Sequence, residues 1–310
     1  MNAQSFYLIV LAIFYGLIPL EIFTQNNENS SIEFITTADN DIFIPYTNTD
    51  KDYSFGLSEE VRFKKDTSKA WFFKNKVQSL LHGFKGGIMG FTPDYSNKNY
   101  DPNNNARRPF AAWLFVEHRQ YYVFKQSYLL LAIQTGFIGP NAYGGNFQNW
   151  FHREFKAGPH VLGRKNQIPN NFGLNLFSKF DKTLVARKNL MLYNSYKASL
   201  GNIFSYVEPS IAFRWGRFTS IKNFSRLTDK KLENRKAQWF LDGQVGLLYA
   251  IYDASLQGNA FKDDNFFNHQ SINGISIIAS FKCTYAAERF SISMTNNFRS
   301  SALNEGMSIE

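Results

Sequence analysis

Hydrophobic positions in this chain recur every second residue over several long stretches. Over residues 53–63, Tyr53, Phe55, Leu57, Val61 and Phe63 fall on one face, while Ser54, Gly56, Ser58, Glu60 and Arg62 fall on the other. Only Glu59 is out of step. A period of two with chemically different faces predicts a β-strand. Residues 207–215 repeat it, with Val207, Ile211, Phe213 and Trp215 opposed to Glu208, Ser210, Ala212 and Arg214, and residues 239–251 continue it. Near the end of the chain, Ile275, Ile277, Ala279, Phe281, Cys283 and Tyr285 alternate with Ser276, Ile278, Ser280, Lys282 and Thr284. Phe290, Ile292 and Met294 then alternate with Ser291, Ser293 and Thr295, and the short span 286–289 between the two runs predicts a hairpin.

Runs of this length match the ~9–11 residues with which a tilted strand crosses a bilayer. Turn-rich polar segments at 94–108, 141–146, 163–171 and 261–273 separate them. Long loops at one end and short turns at the other are the mark of an outer-membrane barrel. A soluble β-sandwich with one wetted face gives similar alternation, so periodicity alone leaves both open.

Composition shifts the balance. The chain of 310 residues is 17% aromatic and only 19% charged, which suits a protein whose outer surface is apolar. The first apolar run, residues 6–20, is too short for a membrane-spanning helix but right for the core of a signal peptide. Residues 1–25 are therefore expected to be an export signal and residues 26–310 a single barrel domain; a membrane anchor is the alternative for the first segment. At roughly 24 residues per strand and connection, the remainder gives about twelve antiparallel strands, an even number as closure prefers. The net charge of +9 suits an anionic membrane or a phosphorylated lipid. No finger, helix-turn-helix or aromatic-basic motif points to nucleic acid. One cysteine, Cys283, excludes an intrachain disulfide and a thiolate zinc site.

Common catalytic signatures such as GxSxG, HExxH and the P-loop are absent from the sequence. Two constellations remain. Asp39-Asn40-Asp41, followed by Asn48-Thr49-Asp50, offers carboxylate and amide oxygens of the kind a hard cation such as calcium takes, although solvated turns are also rich in Asp and Asn. Gln148-Asn149-Trp150-Phe151-His152 places a histidine four residues after a glutamine.

In order along the chain, these segments resemble a family. Asn40-Asp41-Ile42-Phe43 and Thr49-Asp50-Lys51-Asp52-Tyr53-Ser54-Phe55-Gly56 resemble the Asn-Asp-x-Phe and Thr-Asp-x-x-Tyr-(Thr/Ser)-x-Gly signature of the lipid A 3'-O-deacylases of Gram-negative outer membranes. Thr92-Pro93-Asp94, then Arg107-Arg108-Pro109-Phe110-Ala111-Ala112-Trp113-Leu114, is similar to that family's TPxD and DRPYAGWL motifs. Gly139-Pro140-x-Ala142-x-Gly144 with Gln148-x-x-x-His152 resembles its catalytic segment, and Gly163 to Gln167 stands where the family has Gly-Trp-x-x-Gln. Arg214-Trp215-Gly216, Asp253-Ala254-x-Leu256-Gln257-Gly258-x-x-Phe261 and Phe298-Arg299-Ser300 complete a series that spans residues 34–300.

The resemblance implies an integral, monomeric outer-membrane barrel of about twelve strands that uses calcium to hydrolyse the 3'-linked acyloxyacyl ester of lipid A. It implies His152 as general base, Gln148 orienting water or carbonyl, Ser54 contributing to the polar site, and Asn40 and Asp41 at the calcium. Where the family usually has acidic residues just before the glutamine, this chain has Gly145-Asn146, so Glu154 is expected to supply the acidic ligand. A phospholipase or esterase of the same fold, and a non-catalytic barrel, are the alternative functions.

Overall fold

The computed structural model describes residues 32–40, 53–93, 108–155, 167–218, 227, 237–261, 272, 274–287, 290–300 and 307–309. The expected export signal and Asp41 lie outside the described residues. Twelve strands form one sheet: β1 (Ile32–Asn40), β2 (Phe55–Lys65), β3 (Ser79–Phe91), β4 (Ala111–Val123), β5 (Ser127–Ile138), β6 (Asn171–Arg187), β7 (Leu190–Gly201), β8 (Phe204–Arg217), β9 (Gln238–Asp253), β10 (Ile275–Ala286), β11 (Ser291–Ser300) and β12 (Met307–Ile309). Each pairs antiparallel with its neighbour in sequence, an up-and-down meander. The sheet curls so that distant strands meet: the Phe91 ring at the end of β3 lies 6.3 Å from that of Phe204 at the start of β8.

The two faces of the sheet are chemically inverted relative to a soluble protein. Outward positions carry Phe84, Val116, Ile133, Leu176, Ile211, Val245 and Ile277, all exposed. Inward positions carry Ser58, Glu60, Glu117, Asn175, Asp181, Glu208 and Asp242, all buried. Charges out of water need partners, and these have them. Arg62 Nε and Nη2 donate to Glu60 Oε1 and Oε2 at 2.6 and 2.9 Å, while Arg119 Nη1 donates to Glu60 Oε2 at 3.0 Å. Arg119 also pairs with Glu117, and the Tyr121 hydroxyl donates to Glu60. Further along the bore, Lys197 meets Glu208 at 2.6 Å and Arg214 binds Asp242 through two nitrogens at 2.7 and 3.1 Å.

Aromatic residues gather at both ends of the apolar band. Trp215 and Trp239 meet edge to face at 5.5 Å near one end, and Phe137 and Phe172 do so at 5.7 Å near the other. An apolar outside, a polar bore and aromatic girdles define a membrane-spanning β-barrel. The strand lengths agree with the predicted runs, and β10 and β11 form the expected hairpin, with Phe290 in its turn rather than in the strand.

The two ends differ. The connections 41–54, 92–110, 139–170 and 254–274 open at one end, where most are long. At the other end 124–126 and 188–189 are tight turns, while 66–78 and 218–237 are longer. Beneath the long connections, Phe91, Trp113, Ile138, Ile168, Ile203 and Ala254 form an apolar plug across the mouth. It fixes the strand ends from which the candidate site is built.

Candidate active site

Helix α1 (Gly144–Phe155) lies on the outside of the barrel wall at the long-connection end. The chain reaches it through Gly139, whose φ of +101° and whose approach to the Ile168 and Pro169 carbonyl oxygens leave no room for a side chain. The helix then docks by its first residue. A Cβ on Gly144 would sit 2.2 Å from the Ala112 Cβ, so only glycine lets the helix meet β4 this closely. Phe147 packs against Phe55 at 5.1 Å between ring centroids and against Ile88, with Leu57, Leu114 and Trp150 around them. These wall residues occupy the outward, lipid-facing positions of β2, β3 and β4.

Between helix and wall lies a narrow cleft. It is lined by Phe55, Gly90, Phe91, Phe110, Gln148 and Gln167, among others. Four of the segments singled out in the sequence therefore converge on one place, although they are scattered from residue 55 to residue 167.

Gln148 is buried within this cleft, at 5% exposure. His152 follows it by one turn of α1, so the two positions stand on the same row of the helix surface. Asn40, the last residue of β1, is paired in register with Phe55, which lines the cleft. The side chains of Asn40 and His152 lie outside the described ones. Ser54 is buried; its amide donates to the Gly90 carbonyl at 2.9 Å and its hydroxyl is hydrogen-bonded to that of Thr92.

Glu154 is placed differently. It lies two residues beyond His152, about 200° around the helix, on the row of Phe147 and Trp150. It is 49% exposed and its Oε1 accepts from Arg153 Nε at 3.0 Å. The structure thus brings Gln148 and the positions of Asn40 and His152 to the cleft, and does not bring Glu154.

Two further ties were not readable from spacing. Thr92 joins the motif at Ser54 to its own, through the shared hydroxyl bond. Arg108, buried and lying 4.8 Å over the Phe91 ring, donates from Nη2 to Ser255 Oγ at 2.6 Å. The Ser255 hydroxyl and amide in turn donate to Asp253 Oδ1 at 2.6 and 2.8 Å, at the start of the short helix α2 (Ala254–Gln257). The only hint in the sequence was that both segments belong to the ordered series.

Calcium would need oxygen donors around one point. Among the described residues no three His, Cys, Asp or Glu side chains gather. The chemistry of Asn40 and Asp41, an amide and a carboxylate, suits such an ion, while the Glu154 carboxylate is paired with Arg153.

A polar bore, a lipid-facing apolar band and a cleft against the outer wall together define an outer-membrane β-barrel with its candidate site on the outside of the wall. The family model described as outer membrane protein LpxR matches residues 8–309, and the chain belongs to that family. No curated protein matches it by sequence. The solved structure of LpxR from Salmonella typhimurium superposes with a TM-score of 0.68 over 90% of this chain and 96% of that one, at 20% identity, a likeness of fold.

Proposed function

We propose that the wall-side cleft is the active site of a calcium-dependent hydrolase that removes the 3'-linked acyloxyacyl group of lipid A. The observation that carries the reading is the burial of Gln148 in a cleft on the lipid-facing wall, with position 152 one turn further along the same helix row. Family membership supports the outer-membrane setting.

In this reading His152 takes the proton of the attacking water, since imidazole is the side chain that changes charge near neutral pH. The Gln148 amide orients the water or the ester carbonyl from a site already stripped of solvent, where a hydrogen bond counts for more than in water. Ser54 acts at one remove: its bond to Thr92 pins the end of β3 beside the cleft. Asn40 and Asp41 would hold the calcium ion. When bound, calcium supplies Lewis-acid stabilisation of the oxyanion. The apolar wall around Phe55, Phe91 and Phe110 accepts acyl chain, and one chain supplies the whole site.

The test is mass spectrometry of lipid A from cells expressing the chain or its His152→Ala variant, with folding checked by heat-modifiable mobility. Loss of the 3' acyloxyacyl group with the parent chain and its retention with the variant are expected. Unchanged lipid A beside altered phospholipid would assign the cleft to a phospholipase instead, and no change in either lipid would leave a non-catalytic barrel.

A further inference from the structure

The 66–78 connection between β2 and β3 neither enters the bore nor extends away from the barrel. It folds back over the outer wall at the end opposite the cleft. Ala70 is buried against Leu80 and Tyr122, both 0% exposed, and Leu129 and Leu131 pack at the edge of this patch. The Trp71 ring lies 5.3 Å from His118, on the outward face of β4, and Phe73 meets Tyr122 and Phe124 edge to face at 6.1 and 5.8 Å. The segment is thus held rigidly against the wall, at the depth where the aromatic girdle sits.

Its free side is unusual. Trp71, Phe72 and Phe73 remain 50%, 54% and 50% exposed, three consecutive aromatics half out of the protein. Around them Lys65, Lys69, Lys74 and Lys76 are all exposed. The only acidic residue from 64 to 78 is Asp66, an exposed side chain near Lys69 whose Oδ1 accepts from the Ser68 amide at 2.9 Å. Exposed aromatic rings beside a cluster in which lysines outnumber acids four to one match a lipid with an anionic headgroup. Most connections at this end, 124–126, 188–189 and 287–290, are short, which puts it at the periplasmic leaflet, where the lipid is glycerophospholipid.

We propose that this collar is a docking surface for an anionic glycerophospholipid, with the lysines on its phosphate and the aromatic rings against its glycerol and upper acyl region. Each lysine close to an anionic leaflet favours such binding about fivefold, so several acting together give a clear preference even when partly screened. The surface is separate from the cleft and does not depend on the function proposed for it.

The experiment uses the full chain folded in phosphatidylcholine vesicles, doped with either brominated phosphatidylglycerol or brominated phosphatidylcholine. Quenching of Trp71 is obtained by difference from the Trp71→Phe variant, because the chain has five tryptophans. Phosphatidylglycerol is expected to quench Trp71 with at least tenfold higher apparent affinity than phosphatidylcholine. The preference should vanish when Lys65, Lys69, Lys74 and Lys76 are all changed to Gln, and survive when they are changed to Arg. Equal quenching by the two lipids, a preference that persists in the Gln variant, or stronger protection by added lipid A than by phosphatidylglycerol overturns the proposal. Heat-modifiable mobility verifies that every variant is folded.

Discussion

The hydroxyls of Ser54 and Thr92 share a hydrogen bond in a site from which water is excluded, joining the residue before β2 to the residue after β3. Both side chains are 1% exposed, so bulk water does not replace the bond when the pair is broken. Ser54→Ala is expected to cost about 1–3 kcal/mol in urea unfolding of the folded barrel. Ser54→Ala with Thr92→Val removes both partners and should cost less than the sum of the two single changes. Additive losses in that double-mutant cycle would show that the bond does not matter.

Gly144 is where helix α1 touches the wall. Gly144→Ala pushes a methyl group into Ala112, with 2.2 Å where ordinary contact needs well over 3 Å. The helix must lift, carrying positions 148 and 152 with it. Lipid A deacylation should fall at least tenfold while heat-modifiable mobility stays normal, a misplacement of catalytic groups rather than an unfolding. Full activity in a folded variant would mean that the docking of α1 is not what positions the site.

Gln148→Ala removes a buried amide and leaves its neighbours in place. A loss of about 10²-fold in deacylation, with unchanged barrel stability, is expected if the amide stabilises the reacting atoms. Gln148→Glu keeps the shape and should not restore activity. Rates indistinguishable from the parent in either variant would remove Gln148 from the mechanism.

Chelation separates the ion from the scaffold. Adding a calcium chelator to the folded barrel should abolish deacylation, and excess calcium, but not magnesium, should restore it, since magnesium demands a tighter octahedral shell. Glu154→Gln should leave the calcium titration unmoved, because Glu154 is half exposed and its carboxylate pairs with Arg153. A weakened calcium midpoint in that variant would return it to the ligand set.

The inverted faces of the sheet make a prediction of their own. Val245 and Ile211 are cross-strand partners near the middle of β9 and β8, exposed at 54% and 59%. Val245→Arg should destabilise the barrel in bilayers by about 2–4 kcal/mol, the cost of a charge at the lipid midplane. Arg at a soluble protein surface would cost almost nothing, so a neutral result in equilibrium unfolding would place that face in water.

Alternation made much of the fold legible, because a two-residue period reports a face directly. β10 was expected from Ile275, Ile277 and Tyr285 and runs from Ile275 to Ala286. What covers a face is a different matter. Phe55 falls on the outward side by periodicity, yet it is buried, since a helix some 90 residues later in the chain lies over it. The same limit applied to Glu154. It was expected in place of the acidic residues that Gly145-Asn146 replace, while the helical path of 144–155 sets it about 200° around the helix from His152. Arg108 and Ser255 meet only because the barrel curls, a long-range consequence that no local pattern encodes. Lys197 and Arg214 likewise have no nearby acid in sequence until the register sets Glu208 and Asp242 beside them.

The position of α1 on the outside of the wall has a consequence for how a substrate arrives. A molecule anchored in the leaflet meets the cleft by sliding sideways in the plane of the membrane, and never has to enter the ion-paired bore. The search is two-dimensional, and the encounter rate then depends on the lateral mobility of the lipid rather than on its concentration in water. Packing of neighbouring lipids, tightened by divalent ions or loosened by their removal, would therefore act on the rate without touching a single residue of the protein.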